Sequence, residues 1–270
     1  MSRTTILDGK ALADNILLDV KNKILKTGIT PGLAAILIGR DPASEIYVRL
    51  KEKAAEKIGI VFSKYLADNE IYADIDEFEL RELIKFLNKD PQIDGILLQL
   101  PLPEGFDQDK MVKLIDSKKD ADGFNGGDVI PPTVAAIIEL LKATNEKLEG
   151  KKTLIIGKSD IFTQEIEKYL KKILNIEQFE IKNSIPDDCN TYDIIIIAVG
   201  QAQALKKPAV KPGAIIIDVG INKLDGVTVG DVDPECEEIA GFISPVPGGV
   251  GPLTVALLMQ NVFELAQKNR

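Results

Sequence analysis

Ile194-Ile-Ile-Ile-Ala-Val199, followed by Gly200, is the stretch whose reading decides how this chain is built. Four consecutive isoleucines leave no polar alternation, so neither face of the segment meets water. β-Branched residues suit a pleated strand, and a continuous apolar run belongs to a parallel sheet covered on both faces. Three further segments share this character: Thr153–Ile156, Phe179–Lys182 and Ala214–Val219. A helix is expected over Phe162–Leu174, between the first two. Leu224-Asp-Gly-Val-Thr-Val229 reads as a hairpin turning on Asp225-Gly226.

The same alternation runs through the first half. Residues 9–26 carry Leu12, Ile16, Leu17, Val20 and Ile24 at helical spacing, and Leu33–Ile38 is a buried strand. Gly39-Arg-Asp-Pro-Ala-Ser44 is a turn with Ser44 as the capping residue, leading into a helix to about Lys57. Strands follow at Ile60–Leu66 and Asp94–Leu100, with helices at Asp76–Asn88, Gln108–Ser117 and Thr133–Lys142. The polar linker Ala143–Lys152 separates the halves. These patterns predict an α/β protein of two domains with a cleft between them. One is a parallel-sheet domain, 1–142 plus the C-terminal helix 252–270; the other, 143–251, is Rossmann-like.

Composition narrows the chemistry. The 270 residues are 45% hydrophobic, with a formal net charge of -9, so the basic footprint of a nucleic-acid binder is missing. No apolar run reaches membrane-spanning length, and the first residues do not read as a signal peptide. The two cysteines, Cys189 and Cys236, fit a reducing cytoplasm better than a disulfide scaffold. With no histidine in the chain, no metal site is expected, and proton transfer falls to Lys, Asp, Glu, Tyr, Cys or water.

Ser244-Pro-Val-Pro-Gly-Gly-Val-Gly-Pro-Leu-Thr254 holds three prolines and three glycines in eleven residues, just before an apolar helical run, Val255–Ala266. It reads as a loop allowing close backbone approach to a ligand, with Thr254 helping to cap the helix. The ordinary alternative is a stiff interdomain turn. Tyr47 and Lys51 stand four apart on one helix face; the alternative is an exposed lysine beside a half-buried tyrosine. Gln99 ends an otherwise apolar strand, where a buried amide needs a partner, and Lys51 is a plausible one. A lysine so held in a dry cleft binds its proton less tightly. Asp122 could accept two donors from a guanidine-like ring edge, or could serve as a turn-forming residue. Ile156-Gly-Lys-Ser159 lies between strand and helix, where a dinucleotide phosphate belongs, though without the full glycine fingerprint. The next strand ends in Lys182-Asn-Ser184, with no acid for a ribose hydroxyl; together with Lys158 this leans toward a 2′-phosphate. Gly200 and Val219-Gly-Ile221 could line the same crevice, or simply turn loops.

In this order, several stretches resemble the bifunctional methylenetetrahydrofolate dehydrogenase/cyclohydrolase family (FolD). They are Gly39–Lys51 with Lys53-Ala54 and Gly59-Ile60, Asp94–Pro103, Lys119–Phe124, Lys211–Ile221, Gly230-Asp-Val232 and Pro245–Thr254. The resemblance covers nearly the whole chain. It implies oxidation of 5,10-methylenetetrahydrofolate to the methenyl form with NADP, NAD being possible, and hydrolysis of that form to 10-formyltetrahydrofolate. Lys51 is implied as general acid/base, tuned by Gln99, with Tyr47 on the substrate rings and Asp122 at the pterin edge. Leu100, Pro101, Pro247, Gly248, Gly251 and Pro252 are implied to line the folate site. Gly157, Lys158, Ser159, Ser184, Gly200, Ile221 and Thr254 are implied to hold the cofactor. A cytoplasmic homodimer joined through the cofactor domain is expected.

The chain departs from the family pattern around the phosphate loop. After Gly157-Lys-Ser159 it reads Asp160-Ile-Phe-Thr-Gln-Glu165, where the family has Val-Gly-x-Pro. Pro131-Pro-Thr-Val134 and Gly200-Gln-Ala-Gln203 are also altered. The alternative implied is a cyclohydrolase whose dehydrogenase step is weak, lost or switched to NAD.

Overall fold

The computed structural model describes residues 4–67 and 75–270, which fall into two compact units. The first unit comprises Ala13–Pro132 and Val255–Arg270; the second comprises the chain's start through Leu12 with Thr133–Thr254.

The chain opens with β1 (Thr5–Ile6) and α1 (Gly9–Thr27). In the first unit, β2 (Gly32–Ile38), α2 (Pro42–Ile58), β3 (Val61–Ala67), α3 (Glu77–Lys89), β4 (Gly95–Leu98) and α4 (Gln108–Lys113) follow. The sheet order is β3-β2-β4, with every pairing parallel. All seven residues of β2 are buried, as a central strand covered on both faces requires. Alternation sorts its side chains. Leu33 and Ala35 join Val20, Ile58 and Phe263 in one cluster, whereas Ala34, Ile36 and Ile38 join Leu80, Ile84 and Met111 in another.

In the second unit, α5 (Pro132–Ala143) leads to β5 (Thr153–Gly157), α6 (Asp160–Leu174), β6 (Phe179–Lys182), β7 (Ile194–Ala198) and β8 (Ile215–Asp218). A hairpin of β9 (Asn222–Leu224) and β10 (Val227–Val229) turns on Asp225 (φ 50°) and Gly226 (φ 81°), the left-handed pair such a turn needs. Then come β11 (Phe242–Ile243) and α7 (Val250–Asn269), which carries the chain back to the first unit. The sheet order is β1-β11-β8-β7-β5-β6, parallel throughout. From β5 the chain moves outward to β6, then returns to build β7 and β8 on the other side. The order therefore reverses between β5 and β7, and in open α/β sheets ligands bind at the carboxyl ends beside such a reversal.

Several expectations need correction. The sheet has six strands rather than four, because β1 and β11 are two-residue strands too short to show an apolar pattern. Since β1 pairs with β11, residues before Ala13 belong to the second unit, and the divisions fall after Pro132 and Thr254. Asp41, not Ser44, caps α2: its carboxylate accepts from Ser44 N at 2.8 Å, and Pro42 supplies the preset first residue. Helix α7 begins at Val250, so Gly251 and Pro252 are already helical; Pro252 lacks only an N–H that the first turn leaves unused. Thr254 does not cap that helix. It lies inside, its hydroxyl donating to Val250 O at 3.1 Å.

Candidate active site

Helix α2 buries Ser44, Val48, Lys51, Ala55 and Ile58 along one stripe, so Lys51 occupies the core-facing side of an amphipathic helix. Only 9% of it is exposed. Its Nζ donates to Gln99 Oε1 at 2.9 Å. Gln99 is the first residue beyond β4; its N–H is tied to Ile36 O on β2 at 2.9 Å and its Nε2 donates to Leu100 O at 2.8 Å. Both ends of the amide are thus engaged, which orients the acceptor toward the lysine. Tyr47 lies one turn before Lys51 and is half-buried, which raises its phenol above its ordinary value. The partly buried Leu100 joins the exposed Pro101 through a cis peptide, directly after this cluster.

Asp122 completes the group. The turn-forming carboxylate proves to be its neighbour Asp120, which is 1% exposed and accepts from the N–H groups of Asp122, Gly123 and Asn125 at 3.1, 3.0 and 2.7 Å. The Asp122 carboxylate makes no hydrogen bond among the described residues. Burial pushes it up to about 6, against the pull of the Lys51 charge and with Asp120 adding to the rise. Burial lowers Lys51, and Asp122 opposes that shift. A desolvated ammonium and a desolvated carboxylate that sense each other, beside the carboxyl end of a parallel sheet, are chemically able to exchange protons. One contributor was not foreseen. Asn261 of α7 is 7% exposed and donates to both Ala121 O and Ile130 O, at 2.9 and 3.0 Å, fixing the Asp122 loop. An asparagine within Leu257-Leu-Met-Gln-Asn261-Val-Phe263 was the available signal.

In the second unit, Gly157 closes β5 opposite Ala198 of β7, at the strand-order reversal. A Cβ on Gly157 would lie 2.7 Å from Thr163 Cγ2, so the threonine methyl already occupies the space against this turn. Lys158 is exposed. Ser159 caps α6, its Oγ accepting from Phe162 N at 3.3 Å. Ser184 is exposed just past β6, Gly200 (φ 62°) follows β7, and Ile221, 48% exposed, follows β8. A glycine turn at the reversal and an exposed cation at Lys158 fit a dinucleotide. Asp160 puts a negative charge in the first turn of α6, whereas Glu165 is already paired with Lys168 at 3.0 Å. Pro247 is exposed after a cis Val246–Pro247 peptide, and Gly248 (φ 114°) accepts from Lys10 N at 2.9 Å through its carbonyl. Gly251 and Pro252 occupy the first turn of α7.

Among the described residues, no three His, Cys, Asp or Glu side chains gather as a metal site, and no helix is long and apolar enough to cross a membrane.

Comparison with known proteins agrees with this architecture. Residues 7–122 match the tetrahydrofolate dehydrogenase/cyclohydrolase catalytic domain, and residues 131–270 match the NAD(P)-binding domain of the same family. The chain is 38% identical to the bifunctional protein FolD of Brevibacillus brevis, covering 98% of each chain. It is 40% identical to that of Lactobacillus helveticus, over 97% of this chain and 98% of the relative. The Campylobacter jejuni FolD crystal structure superposes with a TM-score of 0.88 at 37% identity, covering 99% of this chain and 100% of that one. The Trypanosoma brucei enzyme, complexed with NADP cofactor and inhibitor, gives 0.89 at 28% identity over 99% of each. Two domain matches in register with the two sheets, and full-length likeness in sequence and fold, place this chain in the tetrahydrofolate dehydrogenase/cyclohydrolase family.

Proposed function

We propose that the protein oxidises 5,10-methylenetetrahydrofolate to the 5,10-methenyl form with NADP and hydrolyses that form to 10-formyltetrahydrofolate. The observation that carries this reading is the buried Lys51, held by Gln99 and paired electrostatically with Asp122. Lys51 acts as general acid/base while water adds to the methenyl carbon and the ring opens. Gln99 keeps its ammonium directed, and burial lowers its hold on the proton. Tyr47 packs on the substrate's aromatic rings. Asp122, whose oxygens are not spent on its own loop, accepts from the donor edge of the pterin. Leu100, Pro101, Pro247, Gly248, Gly251 and Pro252 border the folate. Gly157, Lys158, Ser159, Ser184, Gly200, Ile221 and Thr254 would hold NADP, which would supply the hydride acceptor. On the same reading the protein is a cytoplasmic homodimer joined through the second unit.

Thr163 against Gly157, with Asp160 beside it, is the ground for a second reading: a cyclohydrolase whose dehydrogenase step is weak, lost or switched to NAD. One experiment decides between them. Purified protein is given methylenetetrahydrofolate with NADP and, separately, with NAD, and methenyltetrahydrofolate hydrolysis is followed in parallel. NADP reduction with hydrolysis supports the first reading, and hydrolysis without NADP reduction the second. Lys51→Met is expected to abolish hydrolysis with its far-UV circular dichroism unchanged; near-parental hydrolysis in that variant removes the assignment of Lys51.

A further inference from the structure

Two buried carboxylates in the second unit take no part in the chemistry above. Asp231 is fully buried, and its Oδ2 accepts from Val199 N and Gly200 N at 2.6 and 3.0 Å. Its Oδ1 accepts from Gln201 N at 2.8 Å and Asn222 Nδ2 at 2.9 Å. Three successive backbone N–H groups converge on one carboxylate, the concave arrangement that otherwise receives a free anion. Asp218, 3% exposed at the end of β8, accepts from Gly220, Asp231 and Val232 N at 2.9, 3.1 and 2.9 Å. Side chains on Gly220 and Gly230 would overlap these carboxylates, so both positions must stay bare.

No cation partners either acid among these hydrogen bonds. Burying two like charges side by side is a poor way to stabilise a core, since apolar packing of equal volume serves at least as well. What the arrangement does supply is definition. The loops after β7 and β8 have no helix directly behind them, and Asp231 binds both at once, Val199–Gln201 on one side and Asn222 on the other. These loops carry Gly200 and Ile221 and lie next to the strand-order reversal.

We infer that Asp231 is the positioning residue of the cofactor site, clamping the loops after β7 and β8 in the conformation that receives the dinucleotide. The inference rests on the reading of the second unit as an NADP site. It also means that the Gly200 N–H, already given to Asp231, makes no phosphate contact, and that phosphate binding is left to the turn after β5.

The test uses the full-length protein. Binding of NADP to the parent is measured first by calorimetry; if neither NADP nor NAD binds, the cofactor reading itself falls. With binding established, Asp231→Asn turns an acceptor oxygen into an amide facing N–H donors. It is expected to raise the KM for NADP at least tenfold, with kcat at saturating NADP within threefold. Asn222→Ala removes one of the four donors without touching the carboxylate, and serves if Asp231→Asn does not fold; a three- to fivefold rise in KM is expected. A residue that merely stabilised the fold would lower the melting temperature and leave KM in place. That pattern in either variant, or cofactor affinity within twofold of the parent in both, overturns the inference.

Discussion

Lys51 illustrates what a single residue's surroundings decide. The stripe Ser44, Val48, Lys51, Ala55, Ile58 would put an apolar residue at the third place, and the chain puts an ammonium there instead. Its cost is met by one amide oxygen and a nearby carboxylate. Asp122 shows the complementary case. Its carboxyl is pushed up to about 6, mainly by burial. A carboxyl whose folded value exceeds the unfolded one holds its proton more tightly when folded. The stability it contributes is therefore complete below about pH 4 and lost as pH rises through 6. Asp122→Asn is accordingly expected to stabilise the protein at pH 7.5 by on the order of 1–2 kcal/mol, an advantage that shrinks by pH 4.5. Urea unfolding at both pH values measures this. The same variant should raise the KM for methenyltetrahydrofolate about tenfold, since one bidentate acceptor contact is worth about 1.4 kcal/mol or more. Loss of stability at pH 7.5 would mean that the Lys51 charge, rather than burial, dominates at this site.

At the scale of elements, two helix starts govern where the functional side chains stand. Helix α2 is held by Asp41, whose carboxylate accepts from both the N–H and the hydroxyl of Ser44, at 2.8 and 2.7 Å. Asp41→Ala should cost ~1 kcal/mol, as loss of an N-cap does. The melting temperature should fall, and hydrolysis should fall two- to fivefold because Tyr47 and Lys51 ride on that helix. Helix α6 starts differently. Thr163 is 1% exposed, its hydroxyl donates within the first turn to Ser159 O and Asp160 O at 3.2 and 3.1 Å, and its methyl faces Gly157. Thr163→Gly should cost about 1–2 kcal/mol, a few tenths from helix propensity and the rest from lost buried packing, yet lower the KM for NADP at least threefold by opening the turn. An unchanged KM would show that the threonine does not crowd the cofactor. Both helices were legible as apolar periodicity, but their first residues were misplaced. Asp41 and Ser44 are equally good caps on paper, and only the backbone path shows which side chain meets a free N–H.

At the scale of the whole molecule, the first unit is closed by the chain's last residues. Arg270 donates to Thr30 O and Asp94 Oδ2, both at 2.9 Å, and the same carboxylate oxygen, on a side chain 3% exposed, accepts from Gly32 N. Deleting Arg270 leaves a buried acid with one partner fewer. The expected loss is about 1–2 kcal/mol, seen as a lower melting temperature with KM for NADP unchanged. The two parallel sheets and the alternation followed from the sequence alone, as did the first half of the Pro-Gly loop; from Val250 onward that stretch is helix. Periodicity and punctuation are local properties, and Ile194–Ala198 is a buried strand wherever it is placed. The candidate cluster was legible through Gln99, an amide at the end of an apolar run, and through motif likeness at Lys51 and Asp122. Tertiary structure alone decided the rest. The pairing of Thr5–Ile6 with Phe242–Ile243 joins segments more than two hundred residues apart, too short to carry a pattern. Which of Asp120 and Asp122 turns the loop depends on which carboxylate meets converging N–H groups. The clamp by Asp231 needs Val199–Gln201 and Asn222 brought to one point. Local propensity acts over a few residues, whereas a buried polar group takes its meaning from whatever the fold delivers within 3 Å of it.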